Sequence, residues 1–442
     1  MSILPKIGGP EDGTPGVSSR GGYPGTARLW SNQPVNLNQA LAGLPPNPRI
    51  IVTGNHATPW HTLGLVDAGL PTYRLWALNG QPGLPDREGV TLETSFVGPG
   101  MRRSPRLSYV PSRLSLVPSL FRTAMVPDLV LLHTTRPRGG QVSMGTEVNV
   151  LPAALEAVRR SGGKVVAQVN DRMPWTYGDA LVGLDQIDVL IEADEALATA
   201  PVSVIDESAA RIGALVAERV TDGATLQAGI GAVPDASMHG LVGRRGMRIW
   251  TEMFSDSVLA LERAGALDRD VPITASFLFG SPELMEWVDG NERVQMVRTE
   301  VTNDPARIAG NQAMVSINTA LQVDLFGQAN ASRIRARIHS GFGGQTDFIV
   351  GALHSVGGQA LIALRSWHPK ADCSTIVPLV DEPVTSFQMS AVITEQGVAE
   401  VFGHDQGAQA RHLIENAAHP SVRDELWEEA TALGLGHRPV HP

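Results

Sequence analysis

Short apolar runs that end in glycine or a polar turn recur along this chain, and apolar residues at helical spacing lie between them. Residues 49–54 (R-I-I-V-T-G) form one run, followed by N-H-A-T-P-W and a predicted helix over 60–68. Residues 71–78 and 90–97 are further strand candidates. Residues 128–134 (D-L-V-L-L-H-T) and 164–169 read as buried strands, with 187–191 the last of this half. Leu151, Leu155 and Val158 mark one face of a helix over 150–161. Strands apolar on both faces, alternating with helices, indicate an α/β sheet covered on both sides.

The pattern lapses over 194–206, where Ala, Thr and Pro interrupt it, and a domain boundary is placed there. The reading is an N-terminal α/β domain over 36–200 and a C-terminal α/β domain over 201–442. Residues 1–35, rich in Gly, Pro and Ser, precede them as an arm expected to be disordered or to lie on a partner subunit. In the second half Asp206 or Ser208 caps a helix running to about Val220. Strands are predicted at 225–228, 247–250, 272–278, 294–297, 315–317, 348–350, 360–364, 375–378 and 391–394. Helices are predicted at 234–242, 255–265, 281–288, 305–311, 408–417 and 420–433. Two open α/β domains are the expected fold, with the active site in the cleft between them, because ligands of such sheets gather at strand ends.

Composition narrows the partners. The chain has 442 residues, with 35 Lys and Arg against 45 Asp and Glu, a net charge of −10. An acidic chain without a basic block argues against nucleic acid. Cys373 is the only cysteine, which excludes an internal disulfide or a Cys-rich zinc site and suits a reducing cytoplasm. The first residues lack a signal-peptide core, and no apolar run approaches a membrane span. The expectation is a soluble cytoplasmic protein. Arg102, Arg103, Arg106, Arg113 and Arg122 crowd one proline-rich stretch, either as a phosphate-facing patch or as a solvated loop.

The candidate chemistry centres on 225–256. T-L-Q-A-G-I-G-A-V-P-D-A (225–236) reads as a strand that breaks at Gly229 and Gly231 and re-enters a helix near Pro234. Its G-x-G-x-x-P pattern lacks the third glycine of a dinucleotide fingerprint, so it gives NAD no support. Glycine backbone beside a helix N-terminus offers N–H groups to negative charge. A second short strand ends in Thr251-Glu252. A carboxylate at a strand end can attack an acyl group when oxyanion donors stand nearby. S-G-F-G-G-Q-T-D-F (340–348) places Gly341, Gly343 and Gly344 before an apolar segment read as a strand. Such a loop lets backbone approach a ligand closely. Asn318 and Gln322, interleaved with strand formers, are network members or ligand contacts. The twelve histidines show no metal spacing, His56, His61 and His339 included, and no G-x-S-x-G elbow is present.

Together these segments resemble the acetyl-CoA hydrolase/transferase family of class I CoA-transferases. The resemblance rests on V-N-D-R-M-P-W-T-Y-G-D (169–179), 225–236, T-E-M-F-S-D (251–256) and M-V-S-I-N-T-A-L-Q-V-D-L-F-G-Q-A-N-A-S (314–332). It extends to 340–348, T-E-Q-G-V-A (394–399) and A-H-P (418–420), and covers roughly residues 125–435. It implies Glu252 as a nucleophile that passes through an acyl-glutamyl anhydride and a glutamyl-CoA thioester. It implies oxyanion or CoA-binding roles for Gly229, Gly231, Gly341, Gly343 and Gly344, with Asn318 a weaker candidate. Coenzyme A would be a substrate beside a short-chain acyl group and a carboxylic acid, with no cofactor held permanently, and the usual assembly is a homodimer; an acyl-CoA hydrolase on the same site, or a non-catalytic CoA-binding protein, is the alternative. The chain departs from the family pattern at Ser257, at 136–145, at Arg365-Ser366-Trp367-His368 and at Gln396. These departures leave the nucleophile and the glycine loops in place and bear on which acid is accepted.

Overall fold

The computed structural model describes residues 36–200, 204–229 and 231–438. The arm read over 1–35 lies outside the described residues.

Seven parallel strands form the first sheet. Their spatial order is Val189–Glu192, Lys164–Val169, Leu129–Thr134, Arg49–Val52, Tyr73–Ala77, Val90–Thr94 and Leu107–Tyr109. Every residue of Arg49–Val52 and Leu129–Thr134 is buried, as strands covered on both faces require. Arg49 is tolerated there because Glu93 meets it twice, Nε to Oε2 at 2.7 Å and Nη2 to Oε1 at 3.2 Å. From Arg49–Val52 the chain winds to one edge, then returns to the other side of that strand at Leu129–Thr134. The loop after Val52, carrying Asn55 and His56, therefore opens at a topological switch point.

The second sheet has six strands, in the order Arg248–Ile249, Thr225–Ala228, Met314–Asn318, Gln359–Ala363, Ala391–Thr394 and Gly397–Glu400. The last is antiparallel to its neighbour and the others run parallel. Its switch point lies between Thr225–Ala228 and Met314–Asn318, at Gly229 and Asn318. One apolar cluster runs from Ile51 and Leu132 of the first sheet to Leu226 and Ile317 of the second.

Local signals explain the helices. Leu151–Ser161 starts with a proline in its first turn and stops at Gly162, whose φ of 77° suits glycine. Asp206, rather than Ser208, caps Glu207–Arg219, its side chain accepting the Ala209 N–H at 3.0 Å. Among the described residues no helix is long and apolar enough to cross a membrane.

Two expectations need correction. Residues 348–350 are not a strand but lie within the Gln345–His354 helix. Phe348-Ile349-Val350 is too short a run to tell strand from helix by itself. Phe348, Ile349, Gly351 and Ala352 are buried, and Gly351 lies so close to Ile308 of the neighbouring Pro305–Ala309 helix that a Cβ would collide with it. The strand expected over 272–278 is split into Ile273–Ala275 and Phe277–Leu278, because Ser276 turns its N–H and hydroxyl onto the Glu252 carbonyl. Of the two readings left open for the arginines of 102–122, the loop reading fits Arg102, Arg106 and Arg122, and none of the five lines the cavity that holds Glu252. Arg102 donates to the His339 carbonyl at 2.7 Å, Arg106 pairs with Asp86 at 3.1 Å and Arg122 with Glu300 at 3.7 Å.

Candidate active site

A cavity of about 270 Å³ opens where the two switch points face each other. Asn55, His56, Leu78, Asn79 and Phe96, from loops that follow strands of the first sheet, line one side. Gly229, Glu252 and Asn318 line the other, from loops and ends of the second, and Gly341, Gly343 and Gly344 join them.

The backbone around Glu252 is held from every direction. The Trp250 N–H donates to the Leu226 carbonyl at 3.1 Å, and the Thr251 N–H to Thr274 at 3.0 Å. The Glu252 carbonyl accepts three bonds, from the N–H groups of Ser276 (2.9 Å) and Phe277 (3.0 Å) and from the Ser276 hydroxyl (2.8 Å). The side chain is thereby aimed into the cavity wall. Its Oε2 accepts from Asn303 Nδ2 at 2.9 Å. Thr302 Oγ1 donates to Asn303 Oδ1 at 2.7 Å, which turns the Asn303 amide nitrogen toward Glu252. No cation is paired with Glu252 among the described ion pairs. Desolvation pushes its carboxyl up to about 7, with the Asn303 bond pulling down and the Asp347 charge pushing up.

Gly344 abuts this carboxylate. A Cβ there would fall inside the contact shell of both Glu252 Oε2 and Asn303 Nδ2. Gly344 also begins the Gln345–His354 helix, which no side chain caps. Gly231, with φ of 114°, begins the Ala232–His239 helix, equally without a side-chain cap. Two helix N-termini with uncapped N–H groups therefore approach the cavity that holds Glu252, and such ends favour developing negative charge. Gly229 lines the cavity, whereas Gly231 stands behind it as the helix start. Gly341 bridges to Phe96, and Gly343 has φ of 55° and gives its carbonyl to the Leu114 N–H at 2.9 Å. Asn318 lines the cavity, but its amide nitrogen donates to Gln227 Oε1 (3.1 Å) and Ser316 Oγ (2.9 Å). Both amide hydrogens are spent, leaving none for an oxyanion.

Several site residues escaped the reading of the sequence. Asn303 is 51 positions from Glu252, and nothing in V-T-N-D-P (301–305) ties them. Asp347, pushed up to about 6 by burial, takes Ser115 Oγ at 2.9 Å and Ser115 N at 3.3 Å. Glu147 is 2 % exposed and has amides, not cations, as partners: Asn55 Nδ2 at 2.7 Å and Asn149 Nδ2 at 2.5 Å. Burial drives its carboxyl up to about 8, with the Glu252 charge adding to the rise. Asn79 Nδ2 extends the chain to Asn55 Oδ1 at 2.9 Å. Asn55, Asn79 and Asn149 have φ of 42°, 48° and 23°, and Asn is the residue type that tolerates this region best after glycine. Asparagine after a strand, as in G-N-H and L-N-G, is the signal that points to them. His56 stacks on Phe279 with centroids 3.5 Å apart, and burial lowers its pKa, so the ring is neutral near pH 7. His61 and His339 lie outside the cavity lining.

Comparison with known proteins bears on what this geometry does. Residues 92–204 match the acetyl-CoA hydrolase/transferase N-terminal domain, and residues 280–430 match the corresponding C-terminal domain. The chain is 37% identical over 349 residues to a 4-hydroxybutyrate coenzyme A transferase of Clostridium kluyveri, covering 76% of this chain and 80% of that one. It is 33% identical over 436 residues to a succinyl-CoA:acetate/propanoyl-CoA:succinate CoA transferase of Fasciola hepatica, covering 92% and 89%. Among solved structures, RipA from Yersinia pestis superposes with a TM-score of 0.84 at 26% identity, over 90% of this chain and 97% of that one.

Proposed function

The chain belongs to the acetyl-CoA hydrolase/transferase family and is a CoA-transferase of that type, and on that premise we propose that it moves CoA between a short-chain acyl-CoA and a carboxylic acid through Glu252. The observation that carries this reading is the Glu252 carboxylate, paired with no cation among the described residues and packed against Gly344 at the uncapped start of a helix.

One Glu252 oxygen attacks the thioester carbonyl. The carbonyl oxygen becomes an oxyanion, held by backbone N–H groups at the glycine turns of 229–231 and 341–344. The C–S bond then breaks, giving an acyl-glutamyl anhydride and CoA thiolate. The thiolate attacks the glutamyl carbonyl of the anhydride and releases the first acid as its carboxylate, leaving a glutamyl-CoA thioester. A second carboxylate attacks that thioester, and the two steps run in reverse to give the new acyl-CoA and free Glu252. Burial leaves the carboxylate poorly solvated, and no cation among the described residues pairs with it, which favours its acting as a nucleophile. Binding energy from the distant parts of CoA is available for the reacting centre. Assembly as a homodimer and a cytoplasmic setting belong to the same proposal.

The test is intact mass after mixing with acetyl-CoA and quenching with borohydride or hydroxylamine. An adduct mapped to Glu252, absent in Glu252→Ala, is the expected result. An unmodified Glu252 in protein that still binds CoA would sink the proposal.

A further inference from the structure

We infer that the acyl groups and acids handled in this cavity are monocarboxylates with uncharged bodies, and that dicarboxylates are rejected. The inference rests on the reading above, in which the thioester carbonyl must reach Glu252.

A succinyl group carries its second carboxylate three carbon–carbon bonds beyond that carbonyl, roughly 4 Å away. It therefore falls inside the cavity whichever wall it faces. None of the residues described around the cavity is Lys or Arg. His56, the one lining residue able to become a cation, is a neutral ring lying flat on Phe279. Most of the lining side-chain amides already donate elsewhere: Asn318 gives both hydrogens away, Asn55 donates to Glu147, Asn79 to Asn55 and Gln345 to the Thr319 carbonyl, which leaves the neutral Gln227 amide as a dipole rather than a charge to meet a carboxylate. The positive ends present are the two uncapped helix N-termini, and the reaction itself uses these at the carbonyl oxygen.

The remaining wall adds cost for a second charge. Leu78, Phe96, Phe277, Phe279 and Phe348 make it apolar. Two carboxylates stand beside it, Glu252 in the wall and Asp347 behind the glycine loop, while Glu147 behind Asn55 is held mostly in its neutral form. A distal carboxylate there is desolvated, unpaired and repelled. An alkyl tail meets the same wall favourably. The two curated relatives differ on this point, one being named for 4-hydroxybutyrate and the other for succinyl-CoA, so family membership leaves the choice to the lining of the cavity.

The experiment compares butyryl-CoA with succinyl-CoA as donors to acetate, using the purified full-length chain. We expect kcat/KM to favour butyryl-CoA by about 100-fold or more. His56→Lys places a cation on the cavity wall and should narrow that ratio by about tenfold, whereas the neutral His56→Gln should not. Succinyl-CoA used as well as butyryl-CoA by the wild type would overturn the inference and leave Glu252 chemistry standing. Equal narrowing by Lys and Gln would also overturn it, because shape rather than charge would then set the preference. Turnover of butyryl-CoA that survives Glu252→Ala would instead overturn the nucleophile reading, and this inference with it.

Discussion

Removing the Asn303 amide should move the acid limb of the pH–rate profile upward without abolishing the reaction. In the proposed mechanism Glu252 attacks as its carboxylate, so activity is lost as pH falls through its pKa, which stands at about 7. Asn303 Nδ2 donates to Oε2 at 2.9 Å and favours the ionised form. A hydrogen bond to a charged group contributes about 1.5–3 kcal/mol. The protonated acid keeps part of that bond, so the differential sits near the low end, about 1.4 kcal/mol or one pH unit. Asn303→Ala should therefore place the acid limb of kcat/KM at about pH 8. At pH 7 the ionised fraction falls from about one half to about one in eleven, roughly a fivefold loss of rate, recovered above about pH 9. Thr302→Val, which leaves Asn303 in place but removes the hydroxyl that orients its amide, should shift the limb the same way by less. The assay is steady-state kcat/KM for acetyl-CoA with a fixed acceptor acid between pH 5.5 and 9.5. An unmoved limb with activity reduced equally at every pH would refute the argument, because Asn303 would then act by packing alone.

Asp347→Asn should move the same limb downward, since the Asp347 charge raises the Glu252 pKa; a shift upward would contradict the assignment. Gly344→Ala should cost about 100-fold or more in kcat with little change in Tm, because φ of −96° and ψ of −2° suit alanine while the new methyl displaces the Glu252 carboxylate. A variant that keeps near-normal kcat would show that the contact is slack. Glu147→Gln should stabilise the protein at alkaline pH. A carboxyl whose pKa rises from 4.5 to about 8 on folding contributes stability that is full below about 4.5 and lost as pH rises through 8. The ceiling on that loss is about 4–5 kcal/mol. Tm of the variant minus that of wild type should therefore grow between pH 5 and 9, and a flat difference would count against a buried acidic Glu147.

The two sheets and most of their strands were legible because parallel strands buried on both faces announce themselves as unbroken apolar runs, as L-V-L-L-H-T does. The glycine loop was legible in part. Three glycines in four residues spoke of close backbone approach, but the apolar F-I-V after them carries no period, and only packing on Ile308 makes it a helix. Glu252 and the loops at 229–231 and 341–344 were recognisable from their motifs. Asn303 and Glu147 were not, because their roles come from tertiary hydrogen bonds spanning 51 and 92 positions to partners that no local pattern names. The arginines of 102–122 left two readings open for the same reason: sequence clustering does not say where each head group goes, and Arg102, Arg106 and Arg122 go to separate loop contacts.

The surroundings of Glu252 are set as much by the first sheet as by the second, whose edge strand Arg248–Ile249 leads into the bend that carries it. The Ser340–Gly344 loop, which brings Gly344 against the carboxylate, is anchored to first-sheet loops. Val97 N donates to the Ser340 carbonyl at 2.7 Å, Gly341 bridges to Phe96, Leu114 N donates to Gly343 and Arg102 reaches the His339 carbonyl. Ser115 holds Asp347 one turn further along the helix. On the other wall Glu147, from the first half, lies close enough for its carboxyl to feel the Glu252 charge. A small displacement of one sheet against the other would therefore alter the proposed oxyanion donors, the Gly344 contact and the charge felt by Glu252 together. Positioning errors of about 1 Å cost on the order of 100-fold in such sites. That coupling explains why Gly341 sits where a side chain would collide with the Ser95 carbonyl and Phe96: the loop is drawn onto the opposite sheet at backbone contact distance, which leaves the cleft little freedom to open at Glu252.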